Sequence, residues 1–325
     1  MSGGTIPYHL RQNKNVERNI FLEILRRFGL WKNISAYQYI GFGGPFLEDF
    51  KAIHGAVGIK DMVSIEADAQ VEKRQQFNCP ISCVKLRHVT SGDFINEFEF
   101  SDPCVVWLDY TKPRELAIQL SELQLLATKL KHGDLFKITL NANQSSLGRP
   151  QDNEDLREYR LAQARDRLGE YCPSNISEDS VTSRGYPNLL LAAVEKAVKK
   201  GLAASRSLVV ELVGSYVYSD GQQMVTATAV ILEKAEREAF YSQTRFKHLS
   251  YFHSNWEAPL HISVPEFSTR ERLYIEALLP DQAEPEMIID RIGYYIGANR
   301  EDALKELQNF LSYYRAFPWF ARISL

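Results

Sequence analysis

Four short apolar runs, each closed by glycine or an acid, constrain this chain more than any other feature. Residues 36–40 run into Gly41-Phe42-Gly43-Gly44, and residues 61–65 end in Glu66. Residues 83–89 run into Ser91-Gly92-Asp93, and residues 104–108 end in Asp109-Tyr110. Between them lie segments of helical period, at 46–54 and 69–77. A long amphipathic one follows at 114–131, and then a fifth strand at 135–140. Strands alternating with helices through short connections predict a parallel sheet covered on both faces.

The same rhythm extends to both sides. Ile20, Phe21, Ile24 and Leu25 recur at helical spacing and predict a helix over 16–28, stopped at Gly29. Residues 141–187 break the alternation with a polar insertion that carries one charged helical segment, 152–168. A helix over 188–203 then resumes it. Two strands, 208–218 and 223–232, are joined by Ser219-Asp220-Gly221, a hairpin signal that makes them antiparallel. Past residue 235 three helical runs follow, at 269–279, 285–296 and 301–314, the first opened by a capping box, Ser268 to Glu271. The expected fold is a Rossmann-like, doubly wound α/β sheet, mostly parallel with a terminal antiparallel hairpin. The expected organisation is an N-terminal cap segment and helix at 1–35, a Rossmann-like domain at 36–234, and a small, mostly helical appendage at 235–325.

Composition narrows the function. No apolar run is long enough to span a bilayer, so no membrane partner is expected. Lys and Arg total 38 against 41 Asp and Glu, a net charge of −3, so nucleic acid is not indicated by net charge. Four cysteines make no disulfide framework, and the start carries no signal peptide, so a cytoplasmic protein is expected. Cys79 and Cys83 lack a second pair at zinc spacing, and His248, His253 and His261 do not share a helical face, so no metal is expected.

In open α/β sheets ligands bind beyond the carboxyl ends of the strands. Glycines there let backbone approach a ligand. An acid after the second strand can accept from both ribose hydroxyls, and one after the third can accept from an exocyclic amine. An acid after the fourth lies where chemistry would occur. A nicotinamide dinucleotide site would need a glycine at position 46, which is Phe46.

These residues, in this order, resemble the class I S-adenosylmethionine-dependent methyltransferases over about residues 38–234, nearest to a bacterial group of O-methyltransferases. The resemblance implies S-adenosyl-L-methionine as cofactor. It places Gly41, Phe42, Gly43 and Gly44 along the methionine and ribose, and Glu66 on the ribose. Ala67 and Asp68 would flank the adenine, and Asp93 and Phe94 would contact it. Asp109 and Tyr110 would face methyl donor and acceptor as the catalytic pair, the acceptor being an oxygen or nitrogen nucleophile. The first motif departs from the family's acid-x-Gly-x-Gly-x-Gly, with Tyr39 at the acid and Pro45 at the third glycine. A catalytically silent binding or scaffold subunit on the same fold is the alternative. The aromatic tail ending in Trp319 and Phe320 is expected to dock on the body, a second copy or a protein partner.

Overall fold

The fold was obtained as a computed structural model, and the structure describes residues 11–151, 155–281 and 284–317. The elements run α1 (Gln12–Phe28), β1 (Gln38–Gly41), α2 (Glu48–Val57), β2 (Asp61–Glu66), α3 (Ala69–Asn78), β3 (Val84–His88) and α4 (Ser91–Glu97). Then follow β4 (Cys104–Asp109), α5 (Leu116–Lys129), β5 (Leu135–Asn141), α6 (Leu156–Leu168), α7 (Gly185–Gly201), β6 (Leu208–Ser219) and β7 (Gln223–Glu233). The last are α8 (Arg237–Thr244), β8 (Leu260–His261), α9 (Thr269–Glu276), α10 (Pro285–Ile292) and α11 (Arg300–Tyr313). The predicted tail residues Trp319 and Phe320 lie outside the described residues.

One sheet of eight strands has the order β3-β2-β1-β4-β5-β7-β6-β8. The first five strands pair in parallel, and β7 is antiparallel to both β5 and β6. The sequence predicts the β6–β7 hairpin, but not that β7 lies between β5 and β6. Nor does it show β8, two residues long and parallel to β6, which is too short to carry a period. The reversal of strand order falls between β1 and β4, which puts the ligand crevice at Gly41 and Asp109.

The two sheet faces follow from alternation along each strand. In β4, Val106 and Leu108 join the core beneath α5 and α7, while Val105 and Trp107 join the core beneath α1 and the C-terminal helices. Residues 91–93, expected as a turn, instead open α4. Thr90 caps that helix by accepting from the Asp93 N–H at 3.1 Å. The expected capping box at Ser268 and Glu271 is present. Gly293, in the left-handed region, stops α10 earlier than helical periodicity suggests.

The glycines after β1 have two separate reasons. Gly44 has φ +51°, which favours glycine. Gly43 has no room for a side chain: a Cβ there would sit 2.1 Å from Leu47 Cδ2 and 2.7 Å from Ser64 Oγ. Gly43→Ala is therefore expected to lower stability by about 1–3 kcal/mol, the usual cost of overpacking. Chemical denaturation checks this, and an unchanged midpoint would show that the loop relaxes without cost.

Candidate active site

Register places the site. Gly41 pairs with Ser64 of β2 on one side and with Trp107 of β4 on the other. Glu66 and Asp109 thus lie two residues beyond Gly41's partners and flank the glycine loop. Asp109 continues the row by pairing with Thr139, which pairs with Thr226.

Asp109 is the most unusual of these groups. Its Oδ2 lies 3.5 Å from the Lys14 ammonium, and both side chains are largely buried. Its Oδ1 is buried with no hydrogen-bond partner among the described residues. A buried acceptor left unpaired costs about 1–3 kcal/mol. Such a group at the mouth of the strand-order reversal is suited to receive a donor from a ligand.

Lys14 reaches Asp109 because α1 crosses the sheet with a polar row on its buried face. Lys14, Glu17 and Arg18 lie at i, i+3 and i+4 and so share one side of the helix. Glu17 Oε2 accepts from Lys137 Nζ at 2.8 Å, and Glu17 Oε1 accepts from Thr226 Oγ1 at 3.1 Å. Lys137 also lies 3.8 Å from the centre of the Trp107 ring. Arg18 donates to Asp49 through both Nε and Nη2. Burial pulls the Lys14 ammonium below its ordinary range, and the Asp109 carboxylate opposes that shift.

Tyr39, which stands where the first motif has an acid, is buried beside this cluster. Burial pushes its hydroxyl well up, with Asp49 adding to the shift. The carboxylates near its ring are thus Asp49 from α2 and Asp109 from β4. The first of these was not singled out by sequence reasoning. One signal was available: Lys14, Glu17 and Arg18 extend the stripe of Phe21, Ile24 and Leu25 toward the start of α1. Polar residues on a buried stripe mark a helix end that faces a polar site.

Glu66 is half-buried at the end of β2, and Oε1 accepts the Asp68 N–H at 2.9 Å. Burial raises its carboxyl above the usual range, while that N–H pulls it back. Asp68 caps α3 by accepting from the Gln70 and Val71 N–H groups, and the Ala67 carbonyl accepts from or faces His88 Nε2 at 3.1 Å. Asp93 is exposed on α4, and its Oδ2 accepts from Thr90 Oγ1 at 2.7 Å.

Two of the expected site residues are packed into the core. The Phe94 ring stacks on Phe98 in the core, 4.5 Å between centroids, and the Phe94 N–H donates to the Thr90 carbonyl. The Phe94 side chain thus lies in the core beneath α4 and α5. Tyr110 points to the face opposite Asp109, where its hydroxyl donates to Glu122 and its ring meets Phe42 edge-on at 5.4 Å. Burial, with Glu122 adding, drives the Tyr110 hydroxyl well above its ordinary range, so it acts as a neutral donor. Among the described residues no group of three His, Cys, Asp or Glu is placed to hold a metal ion. None of the described helices is long and apolar enough to cross a membrane.

The residues present fit the cofactor that the resemblance implies. A tight glycine loop at the strand-order reversal is flanked by one half-buried carboxylate and one buried carboxylate oxygen without a hydrogen-bond partner among the described residues. Similar solved structures include the N-methyltransferase NodS from Bradyrhizobium japonicum WM9, at 12% identity and a TM-score of 0.37. That match covers 67% of this chain and 97% of NodS. Another is the plantazolicin methyltransferase BpumL in complex with a pentazolic desmethylPZN analog and SAH. It has 10% identity and a TM-score of 0.41, covering 67% of this chain and 86% of BpumL. No curated protein matches the sequence. A family model described as "Putative O-methyltransferase" matches residues 6–325. The chain therefore belongs to that family and is a methyltransferase that takes its methyl group from S-adenosylmethionine.

Proposed function

We propose that the chain methylates an oxygen or nitrogen nucleophile brought to the carboxyl end of β4, with Asp109 as the group that receives the acceptor's proton. The observation that carries this is the Asp109 carboxylate itself. One oxygen is held beside Lys14, and the other is buried without a hydrogen-bond partner among the described residues. A hydroxyl or N–H acceptor supplies the missing donor and is oriented by it, and orientation supplies much of the rate. The bound cofactor supplies an electrophilic methyl group on its sulfonium.

Gly41, Phe42, Gly43 and Gly44 form the wall nearest the methionine and ribose, and Glu66 accepts from the ribose. Ala67, Asp68 and Asp93 border the adenine end. Tyr110 supports the β4 end through Glu122 and does not itself take a proton.

Purified protein should bind S-adenosylmethionine in calorimetry, and mass spectrometry should find S-adenosylhomocysteine in it. Absence of both would sink the reading. Because one Glu66 oxygen is engaged by the Asp68 N–H, Glu66→Ala should cost about 1.5–3 kcal/mol of cofactor affinity, the worth of one charged hydrogen bond. An unchanged dissociation constant would remove the ribose assignment.

A further inference from the structure

A second concavity opens at the far end of α1. It has a volume of about 290 Å³ and lies between α1 and the segments that carry Tyr251 and Arg315. Asn19, Glu23, Arg26 and Arg27 line it from α1, on one stripe of the helix. Asn19 fixes the floor by donating to the Ala316 carbonyl at 2.8 Å. Lys14 and Arg26 are twelve residues apart, so the cavity lies about 18 Å along the helix from the Lys14–Asp109 pair.

The lining charge is unbalanced. Three guanidinium groups face one carboxylate. Glu23 is shared, since Oε1 accepts from Arg27 Nε at 3.1 Å and Oε2 lies 3.7 Å from Arg26. Arg315 makes no ion pair among the described residues. Among the described residues the cavity therefore carries two uncompensated positive charges that no pH in the working range removes. Burial pushes the Tyr251 hydroxyl up to about 12, with Glu23 adding and Arg315, Arg27 and Arg26 opposing, so it stays a neutral O–H donor. Arg26 and Arg27 also suit the negative end of the α1 dipole. That accounts for neither Arg315, which comes from a segment near the other end of the chain, nor the cavity between them.

Planar guanidinium forks recognise tetrahedral oxyanions by paired N–H donors. We propose that this cavity binds the phosphoryl group of a small phosphorylated molecule, with Arg27 and Arg315 as its two arms and Glu23 as a competing internal anion. The site is separate from the methyl-transfer site and does not depend on the reading given for Asp109.

The test is calorimetric titration of the full chain with pyrophosphate and with inorganic phosphate, at constant ionic strength set by sodium chloride. Saturable one-to-one binding of pyrophosphate is expected. Arg315→Gln and Arg27→Gln should each weaken it at least tenfold, whereas Lys199→Gln on α7 should leave it within twofold. Glu23→Gln should tighten it severalfold, because the competing carboxylate is gone. Arg315 is exposed, so its variant should fold even if Arg27→Gln does not. Absence of saturable binding, or equal binding by the Arg315→Gln variant, would overturn the site. Tighter binding of an eight-nucleotide single strand than of pyrophosphate would overturn the small-molecule class.

Discussion

Glu17→Ala is expected to cost about 3–5 kcal/mol of folding stability, because it leaves a buried ammonium without its counter-charge. Lys137 is fully buried in the middle of β5, and Glu17 is its ion-pair partner at 2.7 Å. The aromatic rings of Trp107 and Phe21 remain nearby, but a desolvated cation–π contact, worth about 2 kcal/mol, does not replace the counter-charge. The loss should depend on pH in a defined sense. Burial already lowers the Lys137 pKa, and Glu17 is the main influence raising it. Without Glu17 the folded state sheds this proton at lower pH, while the unfolded chain holds it to about 10.4. Between those limits the unfolded state binds more protons, so stability of the variant rises with pH. Urea unfolding at pH 7 and pH 9 reads this, with the smaller deficit at pH 9. The double variant Glu17→Leu with Lys137→Met should recover most of the loss, since apolar replacement of a buried pair is often neutral or better. A deficit below 1 kcal/mol in Glu17→Ala would show that water reaches Lys137.

The cost of that pair explains what the sequence could and could not reveal. Strand ends and their order were legible because parallel strands buried on both faces read as short apolar runs with polar stops. Gly41, Glu66 and Asp109 came from that punctuation alone. The role of α1 was not legible, because three charged residues in a helix normally mean a solvated face. Here Lys14, Glu17 and Arg18 face inward because the partners they meet come from three other elements: Asp109, Lys137 and Asp49. Those pairings span up to 120 residues, and the local trace they leave is that the three charges continue the apolar stripe of α1 without naming their partners. The burial of the Phe94 ring was not legible for a different reason. Thr90 and Asp93 nucleate a helix, and helix geometry turned Phe94 into the core.

The three ion pairs also fix where α1 sits. An apolar helix can slide on an apolar sheet by small steps at little cost, whereas each of these pairs has one partner position. Their arrangement sets Lys14 against Asp109, and that contact is the link between the fold and the chemistry. Asp109→Asn is accordingly expected to lower methyl transfer by about 10²–10⁴-fold, the range for a lost general base. The substitution keeps the shape and an acceptor oxygen but removes the charge proposed to take the proton. Cofactor affinity should stay within about threefold, because the proposed ribose and adenine contacts lie at the ends of β2 and β3. Transfer is read with tritiated S-adenosylmethionine and one cell extract as the common acceptor source for wild type and variant. Melting curves separate chemistry from folding, since the Lys14–Asp109 ion pair is lost in the variant. Lys14→Met combined with Asp109→Asn should regain stability but not transfer. If Asp109→Asn transfers methyl groups at the wild-type rate, the proton goes elsewhere, and the buried unpartnered oxygen serves only to orient. If it loses cofactor binding instead, Asp109 holds the methionine end of the cofactor, and the base must be sought among the acceptor's own groups.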